Sequence, residues 1–203
     1  MDSIILQFMT GLLSGGLLGF IWYRYQFAVM RRESLILLRN SFLREARQIL
    51  DSVREEAEIE NAVLLHVHNS GSELVANAFL YSSVLEESPA TISVSARKNW
   101  QRIPLDRAYN EIIDALYKNE FVFVDVESME EGNLKAMLVL LGMRGSIVFR
   151  VYDRAAKSFI YVAFIDKKGS RDLHFNRNYA LLLFARNRLT ELCRTYHRKG
   201  VIQ

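Results

Sequence analysis

The chain has 203 residues, of which 50% are apolar and 24% are charged, and its net charge is +3. This balance is typical of a folded globular protein and excludes a disordered chain. We expect no nucleic-acid partner, because no basic run interleaved with aromatic residues occurs. The lone cysteine, Cys193, excludes an internal disulfide.

The first element is an uncharged apolar run from Ile4 to Tyr23. At about 1.5 Å of rise per helical residue, it is long enough to cross a hydrocarbon core of roughly 30 Å. A cleavable signal peptide would begin with positive charge, whereas this chain begins with Met1 and Asp2. We therefore predict a retained transmembrane helix within residues 1–24, and the lipid bilayer as a partner.

The charges beside this run predict its orientation. Only Asp2 precedes the run, and arginines follow it at positions 24, 31, 32, 39, 44 and 47. Because basic residues favour the cytoplasmic side, we expect a single-pass membrane protein with its N-terminus outside and its C-terminal domain in the cytoplasm.

Glycines recur every four residues inside the run, at Gly11, Gly15 and Gly19. Such a stripe lets another helix approach closely, which favours self-association in lipid. The alternative is that glycine is simply common in membrane helices.

Residues 25–60 predict a juxtamembrane amphipathic helix. Apolar residues repeat every seven positions at Ile36, Leu43, Leu50 and Ala57. The pattern fits a short dimeric coiled coil, and it fits equally a helix that packs on its own domain.

Residues 61–203 form the predicted globular domain, of class α+β. We expect strands at residues 62–68, 78–84, 91–94, 121–126, 146–152 and 158–165, and helices at 105–118, 129–141 and 176–197. The first and last helices are expected to share one face of an antiparallel sheet, with helices on the other face as well.

This order of elements resembles a GAF domain. The resemblance rests on the run Phe121–Val126, a helix that ends at Gly142, the strands at 146–149 and 158–164, and a terminal helix. GAF domains are small-molecule-binding and dimerising modules of signalling proteins. The resemblance implies a GAF/PAS-like antiparallel sheet with flanking helices. The resemblance covers about residues 36–198 and implies a concave site on one sheet face. It carries no ligand identity, because the cyclic-nucleotide motif and a pocket cysteine for a bilin are absent. We therefore predict no cofactor.

The candidate ligand-binding residues are Tyr81, Trp100, Arg102 and Asp125. Trp100 and Arg102 lie in a segment with cations, an amide and an indole, which can bind an anionic or planar ligand. The plainer alternatives are a surface loop with one packed tryptophan, and a carboxylate at Asp125 that caps a turn.

Other candidate chemistry is weaker. His66 and His68 share one side of a strand, but no spacing supplies further metal ligands, so we expect half-buried polar residues and no metal site. Cys193 has the helical spacing of a core residue. With no catalytic motif present, we predict a protein without catalytic residues that is not an enzyme.

Together these features predict a membrane-anchored, cytoplasmic GAF-like binding or sensory module without an output domain. Its expected partners are a second copy or another membrane protein, and a small-molecule ligand. The alternative is a scaffold that assembles a membrane complex through its glycine-rich span. A cavity lined by the four candidate residues would favour ligand binding, and one filled by large apolar side chains would favour the scaffold.

Overall fold

The computed structural model describes residues 2–68, 81–97, 99–154, 158–167, 175–199 and 201, without the side chains of 2–15, 17, 153, 154, 158 and 175–177. The helices are α1 (Asp2–Ala57), α2 (Arg107–Lys118), α3 (Asn133–Leu140) and α4 (Phe175–Arg198). The strands are β1 (Asn61–His68), β2 (Tyr81–Pro89), β3 (Ile103–Pro104), β4 (Phe121–Asp125), β5 (Gly145–Arg154) and β6 (Ser158–Asp166). The chain divides into two units, Met1–Ser41 and Phe42–Gln203.

The first unit is helical and exposes large apolar side chains. More than half of the surface of each is exposed at Leu18, Phe20, Ile21, Trp22, Tyr23, Tyr25, Phe27, Met30, Ile36 and Leu37. Over the residues that the structure describes, no helix combines the length and the apolar character needed to cross a membrane. The side chains of most of the predicted span, including the positions of Gly11 and Gly15, lie outside the described residues. At Gly19, an added Cβ would meet nothing within 4 Å.

The second unit is built on a six-stranded sheet with the order β3-β2-β1-β6-β5-β4. All five pairings are antiparallel. Side chains alternate between the two faces of each strand, so β1 buries Leu64 toward one face and Leu65 toward the other. The predicted α+β class, with an antiparallel sheet and flanking helices, is confirmed.

Residues 42–57 of α1 pack beside α4 on one face of the sheet. Phe42 lies edge-on to Tyr196 with ring centroids 5.5 Å apart, and the Asn178 amide donates to the Ala57 carbonyl at 3.2 Å. Thr190 Oγ1 donates to the carbonyl of Val151 at 3.0 Å, which fixes α4 to β5. The first and last helices therefore share a face, as the sequence predicts.

The seven-residue stripe of α1 is buried only toward its C-terminal end. Leu50 and Ala57 are buried inside the second unit, together with Ala46 and Val53, whereas Ile36 is 52% exposed. Packing on its own domain accounts for the buried part of the stripe, and the coiled coil stays a prediction.

The opposite face carries α2, α3 and the segment between β2 and α2. Its core joins inward residues of the sheet, such as Leu65, Val148 and Tyr161, to Ile113 and Leu116 of α2 and Leu138 of α3.

Three predicted elements differ from the structure. Residues 92–94 form a 3-10 turn, not a strand, with the Val94 amide bonded to the Thr91 carbonyl at 3.2 Å. The second strand runs on to Pro89, beyond the predicted end at residue 84, because Glu86 and Glu87 are buried there with hydrogen-bond partners; residues 78–80 lie outside the described part. α3 begins at Asn133, four residues later than predicted, because a turn follows Asp125.

Candidate functional site

A small closed cavity lies between the sheet and the helices α2 and α3. Its walls are Trp100, Tyr109, Ile112, Val124, Leu134, Leu138, Ser146, Val148, Tyr161, Ala163 and Ile165, and its volume is about 20 Å³. This is room for about one water molecule. Apolar and aromatic side chains fill most of the space on the sheet face where the sequence predicts a concave site.

The four predicted ligand-binding residues do not share this cavity. Only Trp100, which is 2% exposed, forms part of its wall. Arg102 instead places its guanidinium over the Tyr81 ring, 5.4 Å from the centroid. Asp125 lines a separate open cavity of about 260 Å³ beside α2, and its Oδ1 accepts the Glu127 amide at 3.1 Å. Asp125 therefore holds the turn after β4, and a ligand role for it stays a prediction.

Three buried hydroxyl groups meet at the wall of the closed cavity. The Tyr109 hydroxyl donates to Ser82 Oγ at 2.7 Å and also contacts the Tyr161 hydroxyl. Burial raises the pKa of Tyr109 to about 12, and burial followed by the neighbouring Tyr109 raises the pKa of Tyr161 well above 10. Both tyrosines therefore stay neutral donors and acceptors at physiological pH. Tyr161 is not among the candidate residues predicted from the sequence, although the alternation of Phe159, Tyr161 and Ala163 places all three on one face of β6.

One further polar group in the same wall lacks a hydrogen bond. Ser146 Oγ is buried and finds no partner among the described residues. An unsatisfied buried hydroxyl is costly, so this atom favours a bound water or a small polar group in the cavity.

The larger opening lies on the other face, in a groove between residues 42–57 of α1 and α4. It has a volume of about 480 Å³. Its apolar lining is Ile49, Val53, Leu181, Phe184, Ala185 and Leu192, and its polar lining is Glu45, Gln48, Ser52, Glu56, Arg188, Glu191 and Thr195. We call this surface the α1/α4 groove.

Two exposed side chains on α4 stand out in the α1/α4 groove. Phe184 is 60% exposed, and the Arg188 guanidinium lies 5.9 Å from the centroid of its ring. Arg188 forms no ion pair within the part of the chain that the structure describes. Leu181, Phe184 and Arg188 recur at helical spacing, and this spacing is the sequence signal that could have identified the surface.

The histidine pair lies on β1, with ring centroids of His66 and His68 5.2 Å apart. Burial and then the neighbouring His68 lower the pKa of His66 to about 4, whereas burial and then Arg102 lower the pKa of His68. In the described residues, no three His, Cys, Asp or Glu side chains are placed to share a metal ion. His68 Nε2 instead lies 3.0 Å from Ser83 Oγ.

Cys193 packs in the core between α4 and the sheet. Its side chain is fully buried, and burial raises the pKa of the thiol to about 12. The thiolate needed by a nucleophile is therefore strongly disfavoured.

Solved structures with a similar fold are GAF domains. One is the GAF domain region of a predicted membrane protein from Geobacter sulfurreducens, with a TM-score of 0.55 and 15% identity over 79% of this chain and 98% of that chain. A second is the blue-light-absorbing form of the PixJ GAF domain from Thermosynechococcus elongatus, with a TM-score of 0.52 and 15% identity over 82% of this chain and 94% of that chain.

A third is GAF3 of Slr1393 from Synechocystis, with a TM-score of 0.52 and 19% identity over 81% of this chain and 96% of that chain. By sequence, no family model and no curated protein matches the chain. At these identities the likeness establishes the fold, so the predicted GAF resemblance is confirmed at that level.

Proposed function

We propose that this chain is a membrane-anchored binding module that pairs with a second copy of itself through the α1/α4 groove. The anchor rests on the uncharged run from Ile4 to Tyr23 and on the arginines after it. The GAF fold supports a sensory or binding role, and the Geobacter neighbour is itself described as a predicted membrane protein.

The observation that carries the proposal is the contrast between the two faces of the sheet. The closed cavity holds about 20 Å³, whereas the α1/α4 groove holds about 480 Å³ and has an exposed phenylalanine on its wall. An apolar surface rimmed by polar residues is typical of a protein interaction site. The filled cavity favours a protein partner over a sizeable small-molecule ligand.

Charge complementarity favours a second copy as the occupant. The α1 wall carries Glu45 and Glu56, and the α4 wall carries Arg188 together with Glu191, which pairs with Arg194 at 2.7 Å. In a twofold pair each surface meets itself, so Arg188 of one copy can approach the acidic wall of the other. Phe184 would then leave water and fill the partner's groove.

The test is sedimentation equilibrium of the full chain in density-matched detergent. We expect twice the monomer mass for the wild type, and the monomer mass for Phe184→Asp, because a charge in the apolar interface is costly. Leu140→Asp is the matched control, since Leu140 is also an exposed apolar residue but lies on α3. A monomeric wild type, or a dimeric Phe184→Asp, contradicts the proposal, and a wild-type complex with a different protein supports the scaffold alternative.

The glycine stripe of the predicted span is a second contact in this proposal. Replacing Gly15 by isoleucine would block the close approach of two helices in lipid. We expect Gly15→Ile to weaken the dimer of the full chain less than Phe184→Asp does. A dimer abolished by Gly15→Ile and unaffected by Phe184→Asp would move the association to the span.

A small ligand in the closed cavity is the second candidate function. It rests on the unsatisfied Ser146 Oγ in the cavity wall. Mass spectrometry of small molecules released from the purified full chain by denaturation tests it. A stoichiometric compound supports the ligand, and only buffer components would leave the cavity to water.

A further inference from the structure

Four arginines follow the predicted span within the first unit of the chain. They are Arg24, Arg31, Arg32 and Arg39. Each is exposed on α1, and none forms an ion pair within the part of the chain that the structure describes. Their positive charges therefore lack a counter-charge among the described residues, and a partner outside the chain could supply one.

The spacing of these arginines places them on one face of α1. Arg31, Arg32 and Arg39 follow Arg24 by 7, 8 and 15 positions, so all four lie within about 100° around a helix of 3.6 residues per turn. Glu33 is the one acidic residue between positions 24 and 44, and it follows Arg24 by about two and a half turns. It therefore lies on the opposite side of the helix. We call the surface formed by the four arginines the arginine face.

The arginine face is unsuited to contact with a second copy. Gly15 of the predicted glycine stripe precedes Arg24 by about two and a half turns, so it also lies on the opposite side. Two spans that approach through their glycine stripes therefore turn their arginine faces away from each other. Arg32 and Arg39 also stand in the seven-residue series that continues to Val53, so a coiled coil along this series would bring like charges together.

The residues next to the arginine face indicate what it meets instead. Trp22, Tyr23 and Tyr25 are 64%, 64% and 60% exposed. Such amphipathic rings are typical of the headgroup level of a bilayer. A span that ends at Tyr23 would place Arg24 at the level of the lipid phosphates, and the guanidinium group binds phosphate through its planar fork of donors.

We propose that the arginine face binds the phosphate groups of anionic phospholipids beside the predicted span. This inference rests on the membrane anchor of the proposed function, and it does not depend on self-association. Anionic lipids give the cytoplasmic leaflet its negative surface potential. The predicted orientation of the span puts the arginine face on that side of the membrane.

The arginines differ in their distance from the lipid. At about 1.5 Å of rise per residue, Arg31 and Arg32 lie roughly 10–12 Å from Arg24 along the helix, and Arg39 lies about 22 Å away. The potential of an anionic membrane falls off within a Debye length, which is about 8 Å at physiological ionic strength. Long, flexible side chains let Arg31 and Arg32 reach back to the headgroups, whereas Arg39 is too distant. Arg24, Arg31 and Arg32 therefore carry the binding.

Native mass spectrometry of the full chain in detergent tests this assignment, because it resolves each bound lipid. The chain is titrated with phosphatidylglycerol, which is anionic, or with phosphatidylcholine, which has no net charge. Each arginine near an anionic surface strengthens binding by about fivefold. We expect the wild type to prefer phosphatidylglycerol. Arg31→Gln should weaken the binding of that lipid by about fivefold and leave the binding of phosphatidylcholine unchanged.

Arg39→Gln is the matched control. It removes the same charge from the same face of the helix, but at a position beyond the reach of the lipid. Weaker binding of phosphatidylglycerol in Arg31→Gln and wild-type binding in Arg39→Gln support the proposal. Equal loss in both variants, or a wild type without a preference for the anionic lipid, contradicts it.

Flotation of the full chain with vesicles of pure phosphatidylcholine separates this inference from the anchor. It is carried out at about 1 M salt, where the Debye length of about 3 Å suppresses electrostatic binding. A chain that floats but shows no preference for phosphatidylglycerol overturns the lipid inference alone. A chain that does not float overturns the anchor and the lipid inference with it.

Discussion

The hydroxyl of Tyr196 on α4 donates a hydrogen bond of 2.6 Å to Oε1 of Glu45 on α1. With the edge-on contact of Tyr196 and Phe42, this bond joins the two helices at one end of the α1/α4 groove. The Asn178 amide, bonded to the Ala57 carbonyl, joins them at the other end. The groove therefore has walls that are fixed at both ends, which suits a preformed interaction surface.

The buried tyrosines predict a loss of stability at alkaline pH. The folded state holds the pKa of Tyr109 at about 12, whereas an unfolded tyrosine ionises near 10. The raised pKa therefore contributes its full stabilisation below pH 10, and this stabilisation is lost as the pH rises from 10 to about 12. The free energy of unfolding should fall by about 1.4 kcal/mol per pH unit and per buried tyrosine in that range.

Urea unfolding at pH 9 and pH 11, followed by circular dichroism, measures this loss. Tyr109→Phe should show a smaller fall than the wild type, because one of the two buried groups no longer ionises on unfolding. An identical fall in both proteins would show that the Tyr109 hydroxyl ionises normally in the folded state.

His66 predicts a loss of stability at acidic pH. Its pKa is lowered to about 4 in the folded state, against 6.5 for an unperturbed histidine. The folded state therefore binds the proton less well than the unfolded state does. The free energy of unfolding decreases as the pH falls from 6.5 toward 4. The loss attributable to this residue approaches about 3 kcal/mol.

His66→Phe should remove that part of the loss. The measurement is the urea midpoint at pH 7 and pH 4.5, with His197→Phe as the control on α4. If His66→Phe and the wild type lose equal stability on acidification, burial of His66 does not set the acid response.

Cys193 should be nearly inert in the folded protein. Burial raises the pKa of its thiol from 9.0 to about 12, which lowers the thiolate fraction at pH 8 by about a thousandfold. An aromatic disulfide reagent should therefore label about one thiol per chain in denaturant and almost none in the folded chain. Rapid stoichiometric labelling of the folded chain would contradict the packing of α4.

Gly132 precedes α3 and lies against a capping carboxylate. A Cβ at this position would collide with Asp106 Oδ2, which accepts the amides of Asn133 and Leu134. Gly132→Ala should therefore displace the cap and destabilise the protein by roughly 1–2 kcal/mol. In an Asp106→Ala background the same substitution should cost little, and a double-mutant cycle without coupling would contradict this contact.

The regular elements of the second unit could be predicted from the sequence because they follow simple periodicities. β1, β4, β5 and β6 are runs of apolar residues, and α2 and α4 show helical spacing. The second half of β2 could not be predicted, because Glu86 and Glu87 are polar by composition. Their burial depends on donors from residues 95–97, which lie beyond the end of the strand and outside its alternating pattern.

The candidate site was harder to predict than the fold. The sequence singles out the segment around Trp100, but the indole of Trp100 faces the core, whereas the guanidinium of Arg102 lies over the ring of Tyr81. A cavity's volume depends on how side chains from several elements pack, and no single stretch encodes that. The α1/α4 groove could not be predicted for the same reason. Its two walls, residues 42–57 and α4, lie far apart in the sequence.

The central claim, self-association through the α1/α4 groove, is tested most directly by pulsed electron paramagnetic resonance of the full chain in detergent. A spin label is attached at Gln48→Cys, inside the groove, or at Glu131→Cys, in the turn before α3. Native Cys193 is buried and stays unlabelled. We predict one short distance between two copies labelled at position 48, its loss in Phe184→Asp, and no short distance at position 131. No coupling at position 48, or a short distance at position 131 instead, would contradict the claim.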